Sequence, residues 1–131
     1  MAKISRDDIK KRGLGRFIKS FSYSIEGLKY AYKYEQSMMI HVIATILVIC
    51  ANIFFQVTGI EWLITILAIG MVLSAELFNT AIEAVVDLVT EEYHPLAKVA
   101  KDTSAAAVFI LAIVAVIVGI IIFLPKVISL F

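Results

Sequence analysis

Three long apolar stretches dominate the pattern of the chain, over residues 38–57, 62–89 and about 104–124. Each is long enough to cross the hydrocarbon core of a bilayer, which takes about 20 helical residues. The third stretch carries no charge, and the first has only His41 and Asn52 as strongly polar members. Asn52 is expected to bond to a neighbouring helix. The pattern predicts an all-α integral membrane protein with three transmembrane helices.

A shorter helical pattern precedes the first span, over residues 14–34. Apolar side chains recur there at spacings typical of one helix face, and basic and polar side chains fill the remaining positions. The apolar members are Leu14, Phe17, Ile18, Phe21, Ile25, Leu28 and Tyr32. A basic amphipathic helix beside a span is typical of a helix lying in the membrane interface. We therefore expect an N-terminal surface helix, preceded by a frayed segment over residues 1–12.

Composition agrees with this division. The chain has 131 residues, of which 61% are hydrophobic, well above the fraction of about 45–50% usual in soluble proteins. That length suits a single domain, so we expect one integral membrane unit over residues 1–131. The lone Cys50 cannot form a disulfide within the chain.

The distribution of basic residues predicts the orientation in the membrane. Nine of the twelve Lys and Arg residues precede the first span, and the connection over residues 58–61 has none. Lys98 and Lys101 follow the second span, and only Lys126 lies beyond the third. Because basic residues favour the cytoplasmic side, the N-terminus and the second connection are expected in the cytoplasm.

The second half of the second span carries a row of polar side chains, Glu76, Asn79, Glu83 and Asp87. Their spacings of three, four and four residues place them within an arc of about 80° on a helix. A carboxylate facing hydrocarbon costs roughly 3 kcal/mol or more. The row is therefore expected to face protein, metal, substrate or water, and it marks a candidate functional site.

The residue types in this region suit phosphoryl transfer. Carboxylates without Cys or His favour Mg²⁺, which proteins commonly hold with one or two carboxylates and the phosphates of a substrate. Arg16 and Lys101 suit phosphate binding. A further carboxylate could hold and deprotonate an attacking hydroxyl. The row alone would also fit a proton or cation pathway, so a small non-enzymatic transporter or scaffold stays open.

Three motifs are similar to the signature of the prokaryotic diacylglycerol kinase and undecaprenol kinase family. The first is the Glu76-x-x-Asn79-(x)3-Glu83-(x)3-Asp87 row, the second is Glu92-Tyr93-His94, and the third is Ala100-Lys101-Asp102. The resemblance extends from about Arg16 to the third span. It implies a lipid kinase that uses ATP and Mg²⁺ and forms a homotrimer with active sites between neighbouring subunits. Lipid alcohol, ATP, membrane lipids and other copies of the chain are the expected partners, and no nucleic acid is expected.

The resemblance also implies roles for individual residues. Glu76 would be the catalytic base that binds the lipid hydroxyl, and Asn79 would help to position the reactants. Glu35 and Glu83 would bind the metal. The nucleotide would contact a larger set, which comprises Arg16, Tyr23, Glu35, Glu83, Glu92, Tyr93, His94, Lys101 and Asp102.

The lipid acceptor is predicted from the start of the first span. Met38 and Met39 are flexible apolar side chains suited to an irregular isoprenoid chain, and we assign them to substrate binding. Ser104 stands where the diacylglycerol-specific branch has glycine, and Met39 and His41 replace more strongly charged positions there. The resemblance to the Gram-positive branch favours undecaprenol as the acceptor, with diacylglycerol as the alternative.

Overall fold

The computed structural model describes residues 13–131, and the predicted frayed segment over residues 1–12 lies outside that part. Four helices make up the described chain. They are α1 (Leu14–Tyr34), α2 (Gln36–Phe54), α3 (Gly59–Val89) and α4 (Pro95–Ile128). Residues 13–131 contain no strand. Helices α2, α3 and α4 are long and apolar enough to cross a membrane, so the predicted all-α class with three spans and an N-terminal amphipathic helix is confirmed.

The chain changes direction at Glu35, between the surface helix and the first span. Glu35 has an extended backbone (φ −100°, ψ 113°) and forms both the C-cap of α1 and the N-cap of α2. The apolar side chains of α1, from Leu14 to Leu28, stay exposed in the single chain. Within α1, only Ala31, which lies one turn before the change of direction at Glu35, is fully buried. Helix α1 thus presents its apolar side chains as a free surface, as a helix embedded in the membrane interface requires.

A helix cap and an ion pair stabilise the end of the helix bundle at which α3 begins. Thr58 and Glu61 form a capping box at the start of α3, in which each side chain accepts a hydrogen bond from the other residue's backbone N–H. Glu61 also pairs with Lys126 near the end of α4, with 3.0 Å between Nζ and Oε1. The start of α3 and the end of α4 are therefore held together there.

Helix α4 begins earlier than the apolar stretch that predicts it. Pro95 occupies the first turn, where its missing N–H costs nothing, and His94 caps the helix by accepting a hydrogen bond from the Leu96 N–H (3.2 Å). Lys98 and Lys101, which the sequence pattern places in the connection, therefore lie on the first turns of α4. This correction matters because a helix fixes the direction of both lysines.

Helix α3 is the central element, since it packs against each of the other three helices. Its longest contact is with α4, which a five-residue connection over residues 90–94 brings back alongside it. On the other side, Asn52 of α2 donates a hydrogen bond to Thr65 of α3 (2.7 Å), and both side chains are buried. The predicted interhelical bond of Asn52 is confirmed. The polar row of α3 consequently faces neighbours on both sides.

Candidate active site

The polar row of α3 runs from a buried end to an exposed end. Glu76 is 2% exposed and Asn79 is 9% exposed. Glu83 is partly buried and Asp87 is exposed. The row therefore connects the interior of the helix bundle with its polar surface, which is the arrangement that a reaction between a membrane-dissolved and a water-soluble substrate needs.

Glu76 is held by two side chains of α2. Ser37 donates a hydrogen bond from Oγ to Glu76 Oε1. His41 lies one turn further along α2, with Nε2 3.8 Å from Glu76 Oε2. Neither Ser37 nor His41 is among the site residues predicted from the sequence. Their i, i+4 spacing at the polar-to-apolar transition of α2 is the signal that could have indicated a shared face.

Asn79 links the row to α4. Its Nδ2 donates to Glu83 Oε1 over 3.0 Å, and its Oδ1 accepts from Ser104 Oγ over 2.7 Å. Ser104 is itself 8% exposed. The Asn79 amide thus connects the buried Ser104 hydroxyl of α4 to the Glu83 carboxylate of α3, and it orients the side chain of Glu83.

Glu35 lies within electrostatic range of the row. Partial burial raises its pKa above the ordinary value of 4.5, and the negative charges of Glu83 and Glu76 raise the pKa further. The carboxyl group of Glu35 therefore lies within electrostatic range of Glu83 and Glu76, although no three such side chains in the described residues form a metal-binding group by themselves. One or two such carboxylates suit a divalent ion such as Mg²⁺ when the phosphates of a substrate supply further oxygen ligands.

A cavity of about 400 Å³ lies at the exposed end of the row, and the end of α3, the connection and the first turns of α4 line it. Lys101 pairs there with Asp87, with 2.6 Å between Nζ and Oδ1, and Lys98 pairs with Asp102. These pairs are largely solvent-exposed, so water and salt screen them and neither contributes much to the stability of the fold. Both lysines can therefore exchange a carboxylate for another anion at small cost.

The cavity brings together five of the residues predicted to contact a nucleotide, namely Glu92, Tyr93, His94, Lys101 and Asp102. Arg16 and Tyr23 lie on α1, where both are exposed, and they do not line this cavity. The two methionines assigned to substrate differ in environment, since Met38 is 4% exposed and Met39 is 45% exposed. Within one chain, the predicted site residues thus form a buried group around Glu76 and a surface group around Lys101, and Arg16 and Tyr23 lie in neither group.

The site has the parts of a membrane-embedded phosphotransferase. It combines a buried carboxylate beside apolar surface, a set of acidic side chains that suits a divalent ion, and a water-exposed cavity with lysines. Such a set can orient an alcohol dissolved in the membrane toward a phosphate donor from water.

Comparison with known proteins agrees with this class. Residues 22–123 match the family described as "Prokaryotic diacylglycerol kinase". The chain is 43% identical to an "Undecaprenol kinase" of Bacillus subtilis over 113 residues, covering 86% of this chain and 92% of the relative. A "Diacylglycerol kinase" of Haemophilus influenzae is 38% identical (87% and 98% covered), and one of Escherichia coli is 39% identical (80% and 86% covered). The chain therefore belongs to the prokaryotic diacylglycerol kinase family and is a lipid kinase, as its motifs predict.

Proposed function

We propose that this protein phosphorylates undecaprenol with Mg·ATP at the cytoplasmic face of the membrane. The observation that carries the proposal is the polar row of α3, which joins the buried Glu76 to the lysine-containing cavity at the exposed end. Similarity to the undecaprenol kinase of Bacillus subtilis supports the choice of acceptor. The product would be undecaprenyl phosphate.

Glu76 acts as the base for the primary hydroxyl of the lipid. Ser37 holds Oε1 of its carboxylate, so Oε2, on the side of His41, is available to accept the hydroxyl proton. Burial of Glu76 excludes water, which would otherwise compete with the lipid as acceptor. In a loose phosphoryl-transfer transition state the main contribution of the base is to orient the attacking oxygen.

Glu35 and Glu83 hold the metal. Burial first, and then the negative charges of Glu83 and Glu76, raise the pKa of Glu35, and a divalent cation would balance those charges. The two carboxylates would hold Mg²⁺, which would supply positive charge to neutralise the phosphates of the nucleotide. Asn79 keeps the carboxylate of Glu83 in place through its hydrogen bond.

The cavity at the exposed end receives the nucleotide. Lys101 exchanges its ion pair with Asp87 for a phosphate oxygen, and Asp102 and Glu92 offer acceptors for the polar groups of the nucleoside. Arg16 and Tyr23, on the surface helix, complete the nucleotide contacts from another side. The excess of basic residues in the N-terminal region supports a cytoplasmic position for this end of the molecule, where ATP is available.

Self-assembly into a homotrimer is the proposed state in the membrane. Gly70 and Ser74 lie on an exposed face of α3 together with Met71 and Phe78. Small residues four apart are typical of positions where transmembrane helices approach closely.

The acceptor is tested by competition between undecaprenol and diacylglycerol in one mixed micelle with labelled ATP. Diacylglycerol carries two ester groups, and the apolar start of α2 around Met38 offers them few hydrogen-bond donors. Each unsatisfied polar group costs about 1–3 kcal/mol, so we expect roughly a 10-fold or greater preference for undecaprenol. Equal labelling, or an excess of labelled phosphatidic acid, would establish diacylglycerol as the acceptor instead.

A further inference from the structure

Ser104 is a buried polar side chain in the middle of the α3–α4 contact, and the proposed mechanism assigns it no role. Its Oγ lies 2.7 Å from Asn79 Oδ1 and 2.9 Å from the backbone oxygen of Lys101. A serine hydroxyl has a single proton to donate. The two oxygens therefore compete for it, and the shorter contact crosses between the helices.

The partners of Asn79 fix which way its amide points. An ionised carboxylate only accepts hydrogen bonds, so the NH2 group of the Asn79 amide must face Glu83 and its carbonyl oxygen must face Ser104. In the described part of the chain Ser104 is the one side chain that donates to Asn79 Oδ1. Because Asn79 is 9% exposed, water is a poor substitute for this donor.

Removal of the Ser104 hydroxyl would therefore affect Glu83 indirectly, through Asn79. The carbonyl of Asn79 would be left buried without a donor, and the amide would gain by rotating away from its present orientation. Glu83 would then lose its hydrogen bond to Asn79 and the fixed direction of its carboxylate. Residues that hydrogen-bond to metal-binding side chains commonly influence metal affinity in this way.

We propose that Ser104 is a positioning residue for the metal-binding carboxylate. It donates to Asn79, and Asn79 in turn donates to Glu83, so that one oxygen of Glu83 is bonded and the other stays available for the metal of Mg·ATP. The inference rests on the proposed function. It adds a residue of α4 to the metal site, and it connects that site to the helix that carries Lys101.

The test compares Ser104→Ala with Ser104→Thr, which keeps a hydroxyl, and with Thr103→Ala as the matched control. Thr103 is the adjacent exposed residue, and its hydroxyl bonds only to the backbone oxygen of Val99 in the described chain. Two quantities are measured on purified protein in detergent. One is the dependence of turnover on Mg·ATP, and the other is the binding of Mn²⁺ with a non-hydrolysable ATP analogue, followed by electron paramagnetic resonance.

Ser104→Ala is expected to raise the KM for Mg·ATP and to weaken Mn²⁺ binding by about 10-fold, the lower end of the range for partners of metal ligands. The kcat at saturating Mg·ATP should change much less. Ser104→Thr should stay close to the parent, and Thr103→Ala should match it. If Ser104→Ala does not fold, Ser104→Cys carries the test, since its weaker donor should give a smaller loss in both measurements.

The inference is overturned if Ser104→Ala, or Ser104→Cys in its place, binds Mn²⁺ as the parent does. A fall in kcat with an unchanged KM would also overturn it, because the hydroxyl would then act on another step. The parent provides the separate check on the proposed function. If the parent itself neither transfers phosphate nor binds Mn²⁺ with the analogue, the kinase assignment of the site fails before the variants are compared.

Discussion

Glu76 differs from the other acidic residues of α3 in its depth and in its contacts. It is the most buried of them, and Ser37 of the neighbouring helix holds one of its oxygens. A carboxylate in such a place is costly, and structural needs alone do not explain it, because a neutral side chain could accept the same hydrogen bond. We propose that Glu76 occupies this place because it accepts the proton of the lipid hydroxyl.

Glu76→Gln tests this role. The amide keeps the size of the side chain and an oxygen that can accept from Ser37, but it cannot take a proton. We expect turnover to fall by about 10²-fold or more, while thermal unfolding in detergent stays close to that of the parent. Glu26→Gln, on the exposed part of α1, serves as the control and should keep full activity. Near-normal turnover of a well-folded Glu76→Gln protein would refute the assignment.

The carboxylate of Glu35 is expected to lower the stability of the metal-free protein, although it favours metal binding. Its raised pKa means that the folded, metal-free protein binds a proton at Glu35 more tightly than the unfolded chain does. Stability therefore decreases as the pH rises from the ordinary value of 4.5 through the raised pKa. Glu35→Gln removes this charge, so in EDTA the variant should be more stable than the parent at neutral pH, with the difference disappearing toward pH 4.5.

Addition of metal should reverse the order of thermal stability of the parent and Glu35→Gln. Addition of Mg²⁺ with a non-hydrolysable ATP analogue should raise the Tm of the parent, and it should raise the Tm of Glu35→Gln much less. Glu83→Gln should likewise lose part of the increase. If both variants gain as much stability from metal as the parent does, the metal binds elsewhere.

The carboxylates of the candidate site can be predicted from the sequence, but the side chains that hydrogen-bond to this row cannot. Glu76, Asn79 and Glu83 could be predicted because charged and amide groups are conspicuous in an apolar helix. The hydrogen bonds of Ser37 and Ser104 to this row could not be predicted, because the role of a serine in a span depends on which residue of another helix lies opposite. The packing of α3 against α2 and α4 supplies that information.

At the scale of helices, apolar length predicted the number of spans well, and local capping decided where they begin. Pro95 and His94 start α4 well before its apolar stretch, so a polar segment became the first turns of a helix. A window that averages hydropathy cannot detect such a start. The consequence is functional, because Lys101 on a helix has a fixed position relative to Asp87.

The bond between Asn52 and Thr65 joins α2 to α3 and permits a test of helix packing. Thr65 also donates to the backbone oxygen of Trp62 (2.9 Å), whereas Asn52 Oδ1 is buried without a partner in the described chain. Thr65→Val would leave the buried Asn52 amide without its hydrogen-bond partner, but Asn52→Leu would leave the Thr65 hydroxyl bonded to the backbone oxygen of Trp62. We expect Thr65→Val to lower the free energy of unfolding by about 1–2 kcal/mol and Asn52→Leu by less.

Equilibrium unfolding in mixed micelles measures this difference. The double variant Asn52→Leu/Thr65→Val should resemble Asn52→Leu, because the buried amide that Thr65→Val leaves unpaired is then absent. If the two single changes cost the same and their effects add, the hydrogen bond between α2 and α3 does not contribute in the way the structure indicates.

At the scale of the whole molecule, the face of α3 around Gly70 makes assembly testable without disturbing the single chain. A Cβ added at Gly70 would meet nothing within 4 Å, so Gly70→Leu should leave the folded subunit intact. In a trimer packed through this face the leucine would separate the helices. We expect Gly70→Leu to lower the molar mass measured by light scattering in detergent and to reduce activity together with it. Gly27→Leu, on α1 and equally free of close contacts, tests whether any added leucine has this effect. A Gly70→Leu protein that keeps the parent's molar mass would place the subunit contact on another face, whereas a monomer that stays fully active would show that one chain contains the complete site.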